Sequence, residues 1–193
     1  MQRRHKGRWA VGLLTAFLFL PSVAQELCVS CHGPDGNSQQ PGVPSIAGQP
    51  KLFLEHQLIL MREGVRPVLQ MEPIVKEMKD AEITRLAAHF SQLPARSMES
   101  APANPKLMQQ GMERAKALRC GVCHTPDFSG QDQIPRLAGQ REQYLGAEML
   151  AYRDGKRQGG DTVMAEALRG VSDADIKALA HFLARSSARA PAR

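Results

Sequence analysis

The sequence predicts an all-α chain of two tandem helical domains related by internal duplication, and three observations carry that expectation. Apolar residues recur at helical spacing, and no stretch alternates with period two for long enough to form a sheet. Gly and Pro punctuate the chain between the periodic segments. Above all, the chain repeats itself at an interval of about 92 residues. Cys28-Val29-Ser30-Cys31-His32 returns as Cys120-Gly121-Val122-Cys123-His124, and Pro44-Ser45-Ile46-Ala47-Gly48-Gln49 as Pro135-Arg136-Leu137-Ala138-Gly139-Gln140. Phe53-Leu54 matches Tyr144-Leu145, Arg62-Glu63-Gly64-Val65-Arg66 matches Arg153-Asp154-Gly155-Lys156-Arg157, and Asp80-Ala81-Glu82-Ile83 matches Asp173-Ala174-Asp175-Ile176.

Residues 1–24 read as a cleaved signal peptide. Arg3, Arg4, Lys6 and Arg8 form a basic start, the apolar run Trp9–Leu20 follows, and Pro21-Ser22-Val23-Ala24 suits cleavage after Ala24. The competing reading, a membrane anchor, needs about 20 apolar residues rather than this shorter run. Export to the periplasm is the expectation. Without this segment the formal net charge of +6 falls to +2, and the single tryptophan is lost. No basic stripe with interleaved aromatics remains, so a nucleic-acid partner is not expected. Residues 25–100 hold seven Lys/Arg against nine Asp/Glu, and residues 101–193 hold fourteen against ten. Such a lopsided field can orient charged partners.

The first domain is expected over 25–95, a linker rich in Ala, Ser and Pro over 96–104, and the second domain over 105–193. Asn104 offers an N-cap with Pro105 at the first helical position, opening a helix to Arg119 with Leu107, Met108, Gly111, Met112, Ala115 and Leu118 on its apolar face. The other predicted helices are Lys51–Arg62 with Glu142–Arg153, and Asp80–Leu93 with Ser172–Ser186. Units this small need a staple to fold firmly.

All four cysteines lie in two C-x-x-C pairs, each followed directly by His. In an exported chain an even cysteine count first suggests disulfides, but this spacing is awkward for a structural one. A thioredoxin-like motif needs a strand–helix–strand context, and a four-Cys zinc site needs the pairs closer together. Covalent haem accounts for every position. On a helical turn, residues i and i+3 share a face, where two thiols can add to the two vinyl groups of one haem. The following His brings an imidazole nitrogen under the iron. Two haem c groups are expected, attached through Cys28 and Cys31 and through Cys120 and Cys123, with His32 and His124 as proximal iron ligands.

The repeat also narrows the opposite axial ligand. Of nine methionines, Met71 and Met164 stand at equivalent positions, 39 and 40 residues after the motif histidines. Met78 aligns with Val171, Met61 with Tyr152 and Met149 with Leu58, which marks those three as core residues. His56 aligns with Ala147, so a symmetric bis-His arrangement is not supported; His89 and His181 have surface or packing roles. Thioether ligation raises the iron's potential and fills its sixth position, which favours a carrier over an enzyme. Pro44 and Pro135 have two readings: turn prolines, or residues whose carbonyls orient the proximal histidines. Arg66 and Arg157 also have two, pairing with haem propionates or a solvated surface role.

The doubled C-x-x-C-H, the P-x-[IL]-A-G-Q segments, the R-x-G-x-R stretches and the two methionine segments together resemble the cytochrome c4 family, from about Glu26 to Leu183. The resemblance implies two class I cytochrome c domains, each enclosing one covalent haem with His/Met ligation, and periplasmic electron transfer without enzymatic turnover. It implies redox protein partners, such as a quinol-oxidising donor and a terminal oxidase or reductase as acceptor, with no small-molecule substrate. A soluble or peripherally membrane-associated carrier is the leading expectation; a haem-bearing subunit of a flavocytochrome-like dehydrogenase is the alternative. The sequence departs from the family in one place. Cleavage after Ala24 leaves only Gln25, Glu26 and Leu27 before Cys28, whereas the second motif follows a full helix.

Overall fold

A computed structural model describes residues 23–187; residues 1–22, and with them nearly all of the expected signal peptide, lie outside the described residues. Nine helices are present among these residues: α1 (Val23–His32), α2 (Lys51–Arg62), α3 (Glu72–Val75), α4 (Asp80–Ser91), α5 (Pro105–Ala117), α6 (Cys120–Cys123), α7 (Glu142–Arg153), α8 (Thr162–Ala167) and α9 (Asp173–Arg185). The described residues contain no strand, only an isolated bridge between Gln131 and Ile134. The first domain comprises α1–α4 and the second α5–α9.

Local chemistry explains where the long helices begin and end. The Asn104 side chain accepts from the Lys106 and Leu107 N–H groups, satisfying donors that the first turn of α5 leaves over. Ser172 does the same for Asp175 at the start of α9, and Asp173 and Asp175 suit the positive end of its dipole. α5 closes two residues earlier than its apolar pattern predicts. Arg119 takes a left-handed conformation (φ +57), which turns the chain so that the second Cys motif forms its own short helix.

Each domain has its own apolar core. In the first, Leu54, Val75, Met78, Ile83, Leu86, Ala87 and Phe90 are buried together, as α4 packs on α2 and α2 on α3. In the second, Leu145, Met149, Leu168, Val171, Ile176, Leu179 and Leu183 are buried together, with α9 packed on both α5 and α7. The α5–α9 crossing depends on Gly111, where a Cβ would stand 2.2 Å from the Ala178 carbonyl oxygen. Gly111 and Ala115 are the buried residues of α5. Met112, counted on the apolar face from spacing, is instead 54% exposed.

The residues between the domains are tied to both. Asn37 Nδ2 donates to the Pro94 carbonyl at 3.0 Å, and its Oδ1 accepts from the Arg96 N–H at 2.8 Å. A few residues on, Ser97 Oγ donates to the Ala184 carbonyl at 2.7 Å, and Arg141 Nη1 to the Met98 carbonyl at 2.9 Å.

Candidate functional site

The two Cys motifs are placed in helical conformation in both domains, the first within α1 and the second in α6. His32 and His124 are buried, 7% and 8% exposed. His32 Nδ1 lies 2.7 Å from the Pro44 carbonyl oxygen, and His124 Nδ1 lies 2.8 Å from that of Pro135. A carbonyl can only accept, so each Nδ1 carries the proton and each Nε2 keeps its lone pair for a metal. Burial lowers both imidazole pKa values, opposed by the hydrogen bond to the proline carbonyl. The neutral ring, the form that can ligate iron, is thereby favoured.

The candidate attachment and ligand residues border the same core in each half. Cys28 and Met71 both pack, partly buried, against the first core, with Val29, Ile46 and Phe53. Cys120 and Met164 both pack against the second, with Phe128, Leu137, Tyr152 and Phe182. Cys31 and Cys123 are exposed. Met71 caps α3 and Met164 lies in α8, two helices too short for a periodic pattern to announce. Met78 and Met149 are core residues at 6% exposure each. His181 is occupied elsewhere, accepting from the Asn104 N–H at 2.9 Å and meeting Glu142 at 3.1 Å. His89 lies 3.0 Å from Gln25 Nε2.

Gly48 and Gly139 explain the repeated Ala-Gly-Gln. Both have positive φ, +62 and +67, and their N–H groups donate to the Phe90 and Leu183 carbonyls at 2.9 Å. Each thus fastens the loop carrying its proline to the last helix of its domain.

Across the domain interface, bonds occur in matched pairs. The Ser45 N–H donates to Gln140 Oε1 at 2.7 Å, and Gln140 Nε2 donates back to the Ser45 carbonyl at 2.9 Å. The Arg136 N–H donates to Gln49 Oε1 at 2.9 Å, and Gln49 Nε2 donates back to the Arg136 carbonyl at 3.0 Å. Arg66 donates to Gln57 at 2.9 Å and to Glu148 at 3.4 Å. Arg157 donates to Glu148 at 2.5 Å and to Gln57 at 3.1 Å. Of the two readings open for Arg66 and Arg157, a solvated surface role is not what the structure shows; both guanidinium groups are buried or nearly so and bridge the domains. Sequence reasoning missed Gln49, Gln57, Gln140 and Glu148 as interface residues. Their regular spacing from the repeated Gly was the available signal.

The interface also holds more positive charge than it neutralises. Arg66, Arg136, Arg141 and Arg157 are met there by Glu148 and Glu99. Arg136 is 2% exposed, bonded to the carbonyls of Ala47 and Ala138, and its buried Nε meets no acceptor among the described residues. Burial pulls its pKa down to about 10. A buried cation short of counter-charge is costly, and haem propionates are anions of the right kind to complete it. These residues fit the group.

The chain is similar to known proteins over most of its length. A family model described as cytochrome c matches residues 108–187. Cytochrome c4 of Azotobacter vinelandii is 32% identical over 178 residues, with 81% of this chain and 83% of that protein covered. A thiosulfate dehydrogenase electron acceptor of Stutzerimonas stutzeri is 32% identical over 167 residues, with 81% and 77% covered. The crystal structure of reduced recombinant cytochrome c4 from Pseudomonas stutzeri superposes with a TM-score of 0.77 at 30% identity, covering 85% of this chain and 97% of that one. With paired Cys-Cys-His helices, proline-held histidines and this likeness over four-fifths of its length, the chain belongs to the cytochrome c4 family and is an electron-transfer protein with covalently bound haem c.

Proposed function

We propose that the chain is a two-haem periplasmic electron carrier with one haem c in each domain. Cys28 and Cys31 hold the first by thioether bonds and His32 and Met71 ligate its iron; Cys120, Cys123, His124 and Met164 do the same for the second. The observation that carries this reading is the repeated geometry. In each half a buried histidine is fixed by a proline carbonyl and follows a helical Cys pair, while a partly buried methionine borders the same core as the first cysteine.

When bound, haem c supplies an iron that cycles between Fe(III) and Fe(II). The chain's own residues do the rest. Pro44 and Pro135 hold each imidazole in one orientation and one tautomer. The thioethers of Met71 and Met164 would complete the ligand set of a bound haem, which would raise its potential and leave no open site for a substrate. Arg136, with Arg66 and Arg157, supplies positive charge for propionates.

The reading includes export to the periplasm by residues 1–24, with domains over 25–95 and 105–193 joined by 96–104. No helix among the described residues is long and apolar enough to cross a membrane. Protein partners are a donor such as a quinol-oxidising complex and an acceptor such as a terminal oxidase or reductase. The thiosulfate dehydrogenase electron acceptor among the relatives favours a second reading, a haem-bearing acceptor dedicated to a dehydrogenase.

Intact mass and an absorption spectrum of protein matured with c-type haem assembly factors test the main reading. Two haem additions and a weak red Met–Fe(III) charge-transfer band are expected. A single haem, or haem extracted into acidic organic solvent, would overturn it. Stable co-purification with a dehydrogenase would favour the second reading, whereas a carrier runs alone.

A further inference from the structure

One peptide group in each domain touches both a candidate iron ligand and the other domain. The Pro44–Ser45 peptide accepts from His32 Nδ1 through its carbonyl at 2.7 Å, and donates through its N–H to Gln140 Oε1 at 2.7 Å. The Pro135–Arg136 peptide accepts from His124 Nδ1 at 2.8 Å and donates to Gln49 Oε1 at 2.9 Å. Each glutamine therefore stands one peptide group away from the proximal histidine of the opposite domain. Ser45, Arg136, Gln49 and Gln140 are all buried, so water does not replace these bonds.

We propose that Gln140 and Gln49 are crossed positioning residues for electron transfer: Gln140 sets the potential of the first-domain haem, and Gln49 that of the second. The proposal rests on His32 and His124 being the axial ligands described above. An amide N–H that donates to a good acceptor drives electron density onto the carbonyl oxygen of the same peptide group, and hydrogen bonds in such a chain strengthen one another. A more negative carbonyl pulls harder on the Nδ1 proton and makes the imidazole a stronger donor to iron. Fe(III) gains more from this than Fe(II), so the potential falls. The return bonds from Gln140 Nε2 to Ser45 and from Gln49 Nε2 to Arg136, at 2.9 and 3.0 Å, lock each amide so that its oxygen faces the N–H.

This assignment differs from a purely adhesive role in what it moves. A glutamine that only glues the domains would affect both haems alike when removed, or neither. A crossed tuning residue shifts the haem of the domain it does not belong to.

The test is a spectroelectrochemical titration of the two-haem protein. Each haem is identified by the methyl resonance of its axial methionine in the reduced state, assigned with Met71→Ala and Met164→Ala. Gln140→Leu is expected to raise the first-domain potential and leave the second in place; Gln49→Leu is expected to do the reverse. Gln140→Glu and Gln49→Glu, ionised at alkaline pH, offer stronger acceptors to the Ser45 and Arg136 N–H groups; the first is expected to lower the first-domain potential more than the second, and the other to do the reverse. Should the Leu variants not load both haems, the two Glu variants decide alone, and an opposite-domain potential that is unchanged or raised overturns the proposal. In fully loaded Leu variants, a shift confined to the variant's own domain, equal shifts in both, or none also overturns it. A wild-type protein without both methionine signals would overturn the ligand assignment instead, which keeps the two failures apart.

Discussion

Met78 and Met149 sit almost wholly inside the two cores, whereas Met71 and Met164 are partly buried at the edges of those cores beside Cys28 and Cys120. That difference in position is what the proposed ligand role needs, since a thioether wholly inside a core only fills space. Replacing Met71 or Met164 with Ala is expected to remove the red charge-transfer band from one haem and lower that haem's potential, as redox titration of each variant would show. The repeat singles out the same two residues, because only these methionines recur in register after the motif histidines. Arg136 was not legible. Its counterpart in the repeat is Ser45, so alignment marked the position as variable, and only the packing shows a buried guanidinium short of an anion. Arg136→Met is expected to lower the potential of the neighbouring haem, since it removes a poorly screened positive charge that disfavours Fe(III); the check is the same titration in low salt.

Helices α2 and α7 begin and end where periodicity and the Gly-Pro boundaries placed them. α4 and α9 differ from expectation by no more than two residues at either end. Short α3, α6 and α8 escaped, since four to six residues do not complete enough turns to show a stripe. The family resemblance implies that the helix before the second motif packs on the C-terminal one, but the closeness of the α5–α9 approach at Gly111 was hidden. Gly111→Ala is expected to destabilise the second domain by about 1–3 kcal/mol, the usual cost of overpacking, measured by denaturant unfolding of the loaded protein. α9 carries a pH-sensitive tie as well. Burial raises the Glu142 pKa, but Arg185 and His181 more than offset it, so the carboxyl is held below its usual range. A depressed carboxylate contributes stability above its unfolded pKa and loses it as pH falls through the folded value. Thermal unfolding from pH 7 down to about 3 should show this loss, and Glu142→Gln should flatten that limb of the curve.

At the scale of the molecule, the two domains are held by polar bonds across an interface that carries an excess of buried arginine. Composition could not reveal this, because the charge that matters is the charge left after folding has brought Arg66, Arg157 and Glu148 together. Without haem the interface lacks its remaining counter-anions, so the domains should separate. Small-angle X-ray scattering of a variant with all four cysteines changed to Ala is expected to give a larger radius of gyration than the loaded protein, partly reversed by phosphate. An unchanged radius would mean that the glutamine pairs suffice.

The reciprocal bonds of Ser45 with Gln140 and of Arg136 with Gln49 carry one more consequence. Positions i and j on one side meet j and i on the other, which is the signature of an isologous, twofold contact between identical subunits. Each half therefore presents a patch suited to a copy of itself, and the chain is in effect a dimer whose subunits have been joined. Tethering within one chain replaces a bimolecular encounter by an effective concentration on the order of millimolar. Pairing of the halves thus becomes independent of how much protein the cell makes. It also frees the two halves to diverge, as Ser45 and Arg136 have done, without either losing its partner.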